Sequence, residues 1–276
     1  GYSADEAQLT QYTKSLTNNL IIGLKSNGDW DRALRLHNFK TQHEIAALTS
    51  LKTPSQSMAE RQGTTDDTIF RAFKGFTIKN TSGGVNTKFN ESTDGAGILT
   101  QNSGTIWVSV LDNIDGALVD IGGSDASNKS YIFSSFADVC YNAMNIALAG
   151  TDTTYANASN KDGNYFVKRN SANDLDGYKE SVKTDGTGVS SGLPNIEQYV
   201  GSYNNNGVGQ YHKVGSTYAG FGYFGDIDVP AFSTLLTTLQ DQKQAIIYGH
   251  SIVNGNNGTT HIRCWTNCAF GRLGLR

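Results

Sequence analysis

Thr105-Ile106-Trp107-Val108-Ser109-Val110 decides how the rest of this chain is read. All of it but Ser109 is β-branched or aromatic, and no glycine or proline interrupts it, so it predicts a β-strand. Tyr165-Phe166-Val167-Lys168-Arg169 and Gln198-Tyr199-Val200-Gly201 repeat the pattern. Turn-forming clusters separate such runs: Ser82-Gly83-Gly84, Thr93-Asp94-Gly95, Gly122-Gly123, Lys161-Asp162-Gly163, Thr184-Asp185-Gly186 and Asn204-Asn205-Asn206-Gly207. Many short strands at this spacing predict an antiparallel sandwich or barrel. No repeat of about 20–50 residues stands out, which argues against a propeller or solenoid.

Composition agrees. Glycine is 31 of 276 residues, charged residues are 17%, and Tyr and Phe number 13 and 12. Few charges, many turn formers and abundant aromatics suit a β-rich fold with a packed core. The net charge of −3 gives no electrostatic footprint for a nucleic-acid backbone or an anionic membrane surface. No apolar run approaches the ~20 residues of a membrane helix, and no secretory-signal pattern opens the chain.

Outside the strand region the period changes. Ser3 and Glu6 form a capping box ahead of Leu9, Leu16, Leu20 and Leu24, and Gly28 is placed to stop that helix. A second short helix is predicted from Trp30 through Leu36, with Trp30, Ala33, Leu34 and His37 on one face. A third starts at Thr41, with Glu44 completing its cap and Ile45, Leu48 and Leu51 turned inward before Pro54. Late in the chain, Asp228 reads as an N-cap with Pro230 in the first turn and Phe232, Leu235, Leu236 and Leu239 as the buried stripe. The resulting division is a helical head over 1–55, a β domain over 56–249 and a C-terminal arm over 250–276.

Catalytic chemistry finds little support. Glycoside hydrolysis needs two facing carboxylates, yet Glu6, Glu44, Glu60, Glu91, Glu180 and Glu197 form no E-x-D-x-E array on one strand. Asp112 with Asp115, and Asp226 with Asp228, fall at turns or a helix start. Gly249-His250-Ser251 lacks the second glycine of a nucleophile elbow, because Val253 stands there. Gly215 and Gly220 have the spacing of a phosphate loop without its Lys-Ser/Thr. His261, Cys264 and Cys268, with His250 upstream, fit free thiols, a disulfide or a metal; Cys140 reads as a core thiol. No cofactor is expected. Asp94, Asp112, Asp115, Asp120 and Asp125 qualify as calcium ligands by type, but they carry no calcium-binding spacing.

Binding by shape remains. Carbohydrate sites set aromatic faces against sugar C–H surfaces and read hydroxyls with amide, carboxylate and backbone groups. Tyr203, Asn204, Asn205, Asn206, Tyr211 and His212 supply those residue types in one stretch and are the candidate ligand-binding residues. Asn204-Asn205-Asn206-Gly207 is also a hairpin turn, and Trp107, between Ile106 and Val108, reads as core.

The order of motifs resembles the laminin-G-like, concanavalin A-like domains of bacteriophage tail and other virion proteins. The resemblance runs through Gly28-Asp29-Trp30-Asp31, His43-Glu44 with Ala46-Ala47-Leu48, Gly75-Phe76-Thr77, Val85 to Asn90, Leu193-Pro194-Asn195-Ile196, Tyr199-Val200-Gly201 and Tyr218 to Gly222. It covers roughly 5–248. The segment from Asp138 to Asn157 departs from it as an irregular stretch with room for an insertion, and the arm from Ser251 lies outside it.

The resemblance implies a two-sheet antiparallel jelly roll with a small N-terminal helical head. It also implies a virion setting with other virion subunits or copies of itself as partners, and a non-enzymatic role in binding a host-surface glycan. The alternatives are a purely structural tail, baseplate or head-decoration protein, and a glycan-degrading enzyme. Nucleic acid and membrane are not expected partners.

Overall fold

The structure, a computed structural model, describes residues 4–239 except 55–57, 96–97, 117 and 157–160. Contacts divide the chain into one unit over 1–234 and a second over 235–276; of the second, only 235–239 is described. The arm, with His250, His261, Cys264 and Cys268, lies outside the described residues, as do Ser3 and Asn157.

In chain order the described strands are β1 (Ala33–Asn38), β2 (Glu60–Gln62), β3 (Thr68–Arg71), β4 (Gly75–Ile78), β5 (Gly84–Asn90) and β6 (Gly104–Leu111). They continue as β7 (Ile121–Ser124), β8 (Asn128–Phe136), β9 (Val139–Ala147), β10 (Thr153–Ala156), β11 (Gly163–Arg169) and β12 (Leu175–Lys179). The last are β13 (Val182–Thr184), β14 (Glu197–Val200), β15 (Tyr203–Asn205), β16 (Val208–Gln210) and β17 (Thr217–Phe224). Helices are α1 (Ala4–Ser26), α2 (Glu44–Leu48) and α3 over 229–239.

Two sheets form. The first runs β13-β12-β11-β6-β17-β4-β3, with β1 also on β17; the second runs β10-β9-β8-β7-β14-β5-β2, with β15 and β16 attached. The pairings are antiparallel except β15 on β7. This is the expected two-sheet sandwich. Ile106, Val108 and Val110 of β6, the strand quoted first, meet Val85, Ile121, Ile132 and Val200 of the other sheet in one hydrophobic core.

The residues between those core positions face away from it. On β6 that places Trp107 outward, where Phe166 of β11 and Phe232 of α3 cover it, with ring centroids 6.5 and 5.3 Å away. Phe232 also stacks edge-on against Phe224 at 5.2 Å. The first turns of α3 therefore roof the outer face of the first sheet. Their start is the expected one: Asp228 Oδ1 accepts the Ala231 N–H at 3.1 Å.

Several titratable side chains are buried in the interior, Arg169, Glu91 and His37 among them. Among the described residues the buried Arg169 guanidinium forms no salt bridge; it donates to the carbonyls of Met144 (2.8 and 2.5 Å), Gly188 (2.7 Å), Ser171 (3.1 Å) and Ala172 (3.3 Å). Burial lowers its pKa to about 10. Glu91 follows β5 and is buried, which pushes its carboxyl up to about 8 against the opposing hydrogen bond from Ser130. His37 stacks on Phe221 at 4.4 Å, and burial holds its imidazole down at about 3.

Four local expectations are corrected. The helix predicted over Trp30–Leu36 is a single 3-10 turn, Trp30–Arg32, followed by β1. β4 pairs only with Thr217 and Tyr218 on that edge of β17, and pairing Ala33–Asn38 along the rest satisfies a row of backbone groups that a helix would leave open. The third helix starts later, at Glu44, because Thr41 spends its hydroxyl on the His43 carbonyl (2.8 Å); Ile45 is 71% exposed and Ala47 is the buried residue. Gly122-Gly123 is not a turn but the middle of β7, where a Cβ at Gly122 would sit 2.4 Å from Tyr131 Cβ. The stretch from Asp138 forms β9 and β10, regular strands whose pattern is broken by register shifts in the β8–β9 ladder. Elsewhere α1 ends as expected, with Gly28 at φ +77°.

Candidate functional site

The outer face of the second sheet follows from its register. Ile132, Ile121, Val200 and Val85 lie side by side across four strands and are fully buried in the core. The next row, Tyr131, Gly122, Tyr199, Asn86 and Glu60, must then point away from it, because successive side chains alternate. Tyr131 and Phe133 share this outward face two residues apart on β8, and Tyr141 of β9 pairs directly with Phe133.

Six rings meet there in sequence of contact. Tyr211 lies 6.1 Å from Tyr203, Tyr203 is edge-on to Tyr131 at 5.9 Å, and Tyr131 is edge-on to Phe133 at 4.9 Å. Phe133 meets Tyr141 at 6.4 Å, and Tyr141 meets Phe136 at 5.9 Å. The two end rings are open, Tyr211 at 52% and Phe136 at 41% exposure. Polar groups are set among them. Tyr131 donates its hydroxyl to the Asp152 carboxylate, whose other oxygen is 2.9 Å from Lys129 Nζ, and that ammonium lies 5.5 Å over the Tyr131 ring. Burial, then the Asp152 charge, pushes the Tyr131 phenol far above its ordinary range, so it remains a donor.

Both open rings stand on unusual backbone. Tyr211 has φ +52°, a left-handed conformation that an aromatic residue rarely adopts. Beyond Phe136 the β8–β9 hairpin turns through Ala137 and Asp138, at φ 49° and 63°, where glycine or asparagine is usual. Lys161 braces that tip, 2.9 Å from Asp138 and 3.0 Å from Asp115. Strain of this kind persists only where the surroundings enforce it.

The six candidate residues divide. Tyr203 and Tyr211 belong to the aromatic patch. Asn204 is buried: its Nδ2 donates to the Glu197 carbonyl (2.7 Å) and its Oδ1 accepts the Gly207 N–H (2.8 Å). Asn205 spans Gln210 (3.1 Å) and Ser124 (3.3 Å), and His212 Nδ1 lies 2.5 Å from the Gly83 carbonyl. Asn206 and Gly207, at φ 49° and 93°, are the two-residue turn between β15 and β16, with Asn206 exposed. Lys129, Tyr131, Phe133, Phe136, Tyr141 and Asp152 were not expected. The alternation Lys129-x-Tyr131-x-Phe133 is their signal in the sequence.

The acid pairs serve structure. Asp115 accepts the Ser135 hydroxyl (2.6 Å), Asp226 pairs with Lys168 (2.7 Å), and Asp228 caps α3. Glu60 and Glu197 do share the outer face, but Lys88 Nζ lies between them, 2.9 and 3.8 Å away, and is an ion-pair partner to both. Of the calcium candidates, Asp125 is occupied by the backbone N–H groups of Ser127, Asn128 and Asn195, all at 2.7 Å, and Asp120 by Lys213. Asp94 accepts the Asn90 N–H (3.2 Å). Among the described residues no group of three or more His, Cys, Asp or Glu is arranged to hold a metal, and no helix is long and apolar enough to cross a membrane.

No family model and no curated protein matches the sequence. Solved structures match the fold. The binding domain of botulinum neurotoxin DC, in complex with SialylT, superposes with a TM-score of 0.50 at 14% identity, covering 75% of this chain and 51% of that one. Trypanosoma rangeli sialidase, in complex with sialic acid, gives 0.50 at 11% identity over 75% of this chain and 33% of its own. Domain 4 of AbnA, a GH43 extracellular arabinanase from Geobacillus stearothermophilus, in complex with arabinotriose, gives 0.48 at 13% identity over 74% of this chain and 98% of that one. The chain thus spans about half of the neurotoxin domain and a third of the sialidase. The likeness is one of fold: a two-sheet antiparallel β-sandwich.

Proposed function

We propose that the protein is a non-enzymatic glycan-binding module of a bacteriophage virion, which turns the outer face of its second sheet toward a host-surface glycan. The observation that carries this reading is the aromatic patch. Six rings form a contiguous row along the second sheet: Tyr131 and Tyr203 are buried in it, Phe133 and Tyr141 are partly buried, the two at its ends are open, and a lysine–aspartate pair lies beside the Tyr131 phenol. Rings of this kind stack on the C–H faces of sugars, and the polar groups between them orient hydroxyls. That two structures of similar fold were solved with SialylT and with sialic acid supports the ligand class. The virion setting rests on the sequence resemblance. It also explains how a shallow surface suffices, since many copies on one particle multiply weak binding.

The test is a broad glycan array probed with the wild-type protein and with the Tyr211→Ala/Phe136→Ala double variant. Binding by the first and its loss in the second is the expected result. No binding by the wild type, or equal binding by both, overturns the assignment. Release of reducing sugar from a bound glycan would instead make the protein an enzyme. Detection of the chain in purified phage particles tests the setting separately.

A further inference from the structure

An amine and a carboxylate face each other inside the molecule. Asp120 lies just ahead of β7 and Lys213 just ahead of β17, so the pair joins the approaches to both sheets; both side chains are fully buried. Lys213 Nζ is 2.9 and 3.0 Å from the two Asp120 oxygens and 2.8 Å from Ser134 Oγ. Asp120 Oδ2 accepts the Ser134 N–H at 2.5 Å, and Oδ1 accepts the Tyr218 hydroxyl at 3.1 Å.

A buried ion pair gains little over an uncharged replacement, because both ions lose their hydration. An amide between the same two side chains carries no charge. We propose that Lys213 and Asp120 condense after folding into an intramolecular isopeptide bond. A proton passes from Nζ to the carboxylate, giving a neutral amine beside a neutral acid. With the carboxyl group turned about Cβ–Cγ to present its face, Nζ attacks Cγ. The Ser134 N–H, on Oδ2, is the donor to the oxygen that gains charge, and the Tyr218 O–H, on Oδ1, is the donor to the oxygen that leaves. The C–O bond to the other oxygen then breaks. Nζ has given up two of its three protons, and both leave with that oxygen as one water. No oxidant or reductant is required. Burial keeps the Tyr218 phenol protonated well above its ordinary range, so it stays available as a donor. Holding the two groups in contact supplies the effective concentration that an uncatalysed condensation in solution lacks.

Intact-mass spectrometry of the folded full-length chain decides it. The expected mass is one water below the sequence mass, and a digest should yield a branched peptide joining the Asp120 and Lys213 segments. Lys213→Met should restore the unmodified mass. Because that variant leaves a buried carboxylate without its counter-charge and can fail to fold, Tyr218→Phe is the second variant, expected to keep the pair and slow the mass change at least tenfold. A wild-type chain at its full sequence mass overturns the proposal. So does a one-water loss that maps to a cyclic imide at Asp120 with no branched peptide.

Discussion

Two aromatic clusters lie on opposite outer surfaces of the sandwich, and their fates differ. On the first sheet Trp107, Phe166 and Phe224 are covered by Phe232 from the start of α3. On the second sheet Tyr131, Phe133, Tyr141 and Tyr203 pack against one another, and Tyr211 and Phe136 are left open at the ends. The covered cluster is apolar except for the Trp107 N–H, which Asn164 accepts at 3.2 Å. The open one is mostly tyrosine, with charges among its rings. An aromatic surface hidden from water stabilises the fold; one left in water with polar partners is available for a ligand.

That contrast predicts opposite behaviour on truncation. Phe232→Ala removes the roof's central ring and should cost about 3–5 kcal/mol in urea unfolding. A loss below about 1 kcal/mol would mean that the roof contributes little. Between the two faces, Glu91 makes stability depend on pH. Its folded pKa of about 8 lies above the ordinary value of 4.5, so the folded state holds the proton longer. Stability should therefore fall as pH rises from 4.5 to about 8, by at most about 1.4 kcal/mol per pH unit, and level off above. Glu91→Gln should flatten that slope. His37 acts in the opposite sense: with a folded pKa of about 3 against 6.5, it should remove stability as pH falls through that range.

On the open face, Tyr211→Ala should weaken glycan binding about tenfold, or about 1.4 kcal/mol, with unfolding free energy changed by less than about 0.5 kcal/mol. A variant that unfolds early would place Tyr211 with the covered cluster instead. The smallest effect belongs to the hairpin tip. Gly207 has φ +93° and open space around its Cα, so Gly207→Ala should cost about 1 kcal/mol from backbone conformation alone, and calorimetry would detect it.

The fold was legible because its cues are local. Alternation in Thr105–Val110, the Asn206-Gly207 turn and the Asp228 cap each need only a few neighbouring residues. The head over Trp30–Asn38 was not, since its alternation suits a short helix until the free edge of β17 is known. The binding face was half legible. Tyr203 and Tyr211 stand out beside a turn, whereas Tyr131 and Phe133 become a patch only when β9 brings Tyr141 alongside. The bulged register of that pairing hid it. Asn204, Asn205 and His212 have the chemistry of ligand-reading residues, but the hairpin uses it internally.

The Arg169 clamp constrains the route to the native state. Its guanidinium is satisfied by carbonyls from β9 and from the loops at 171–172 and 188, groups far apart along the backbone. A half-assembled intermediate would have to desolvate that cation with too few acceptors, so closure of the sandwich should be all-or-none, and a protease should find its strands either all protected or all open.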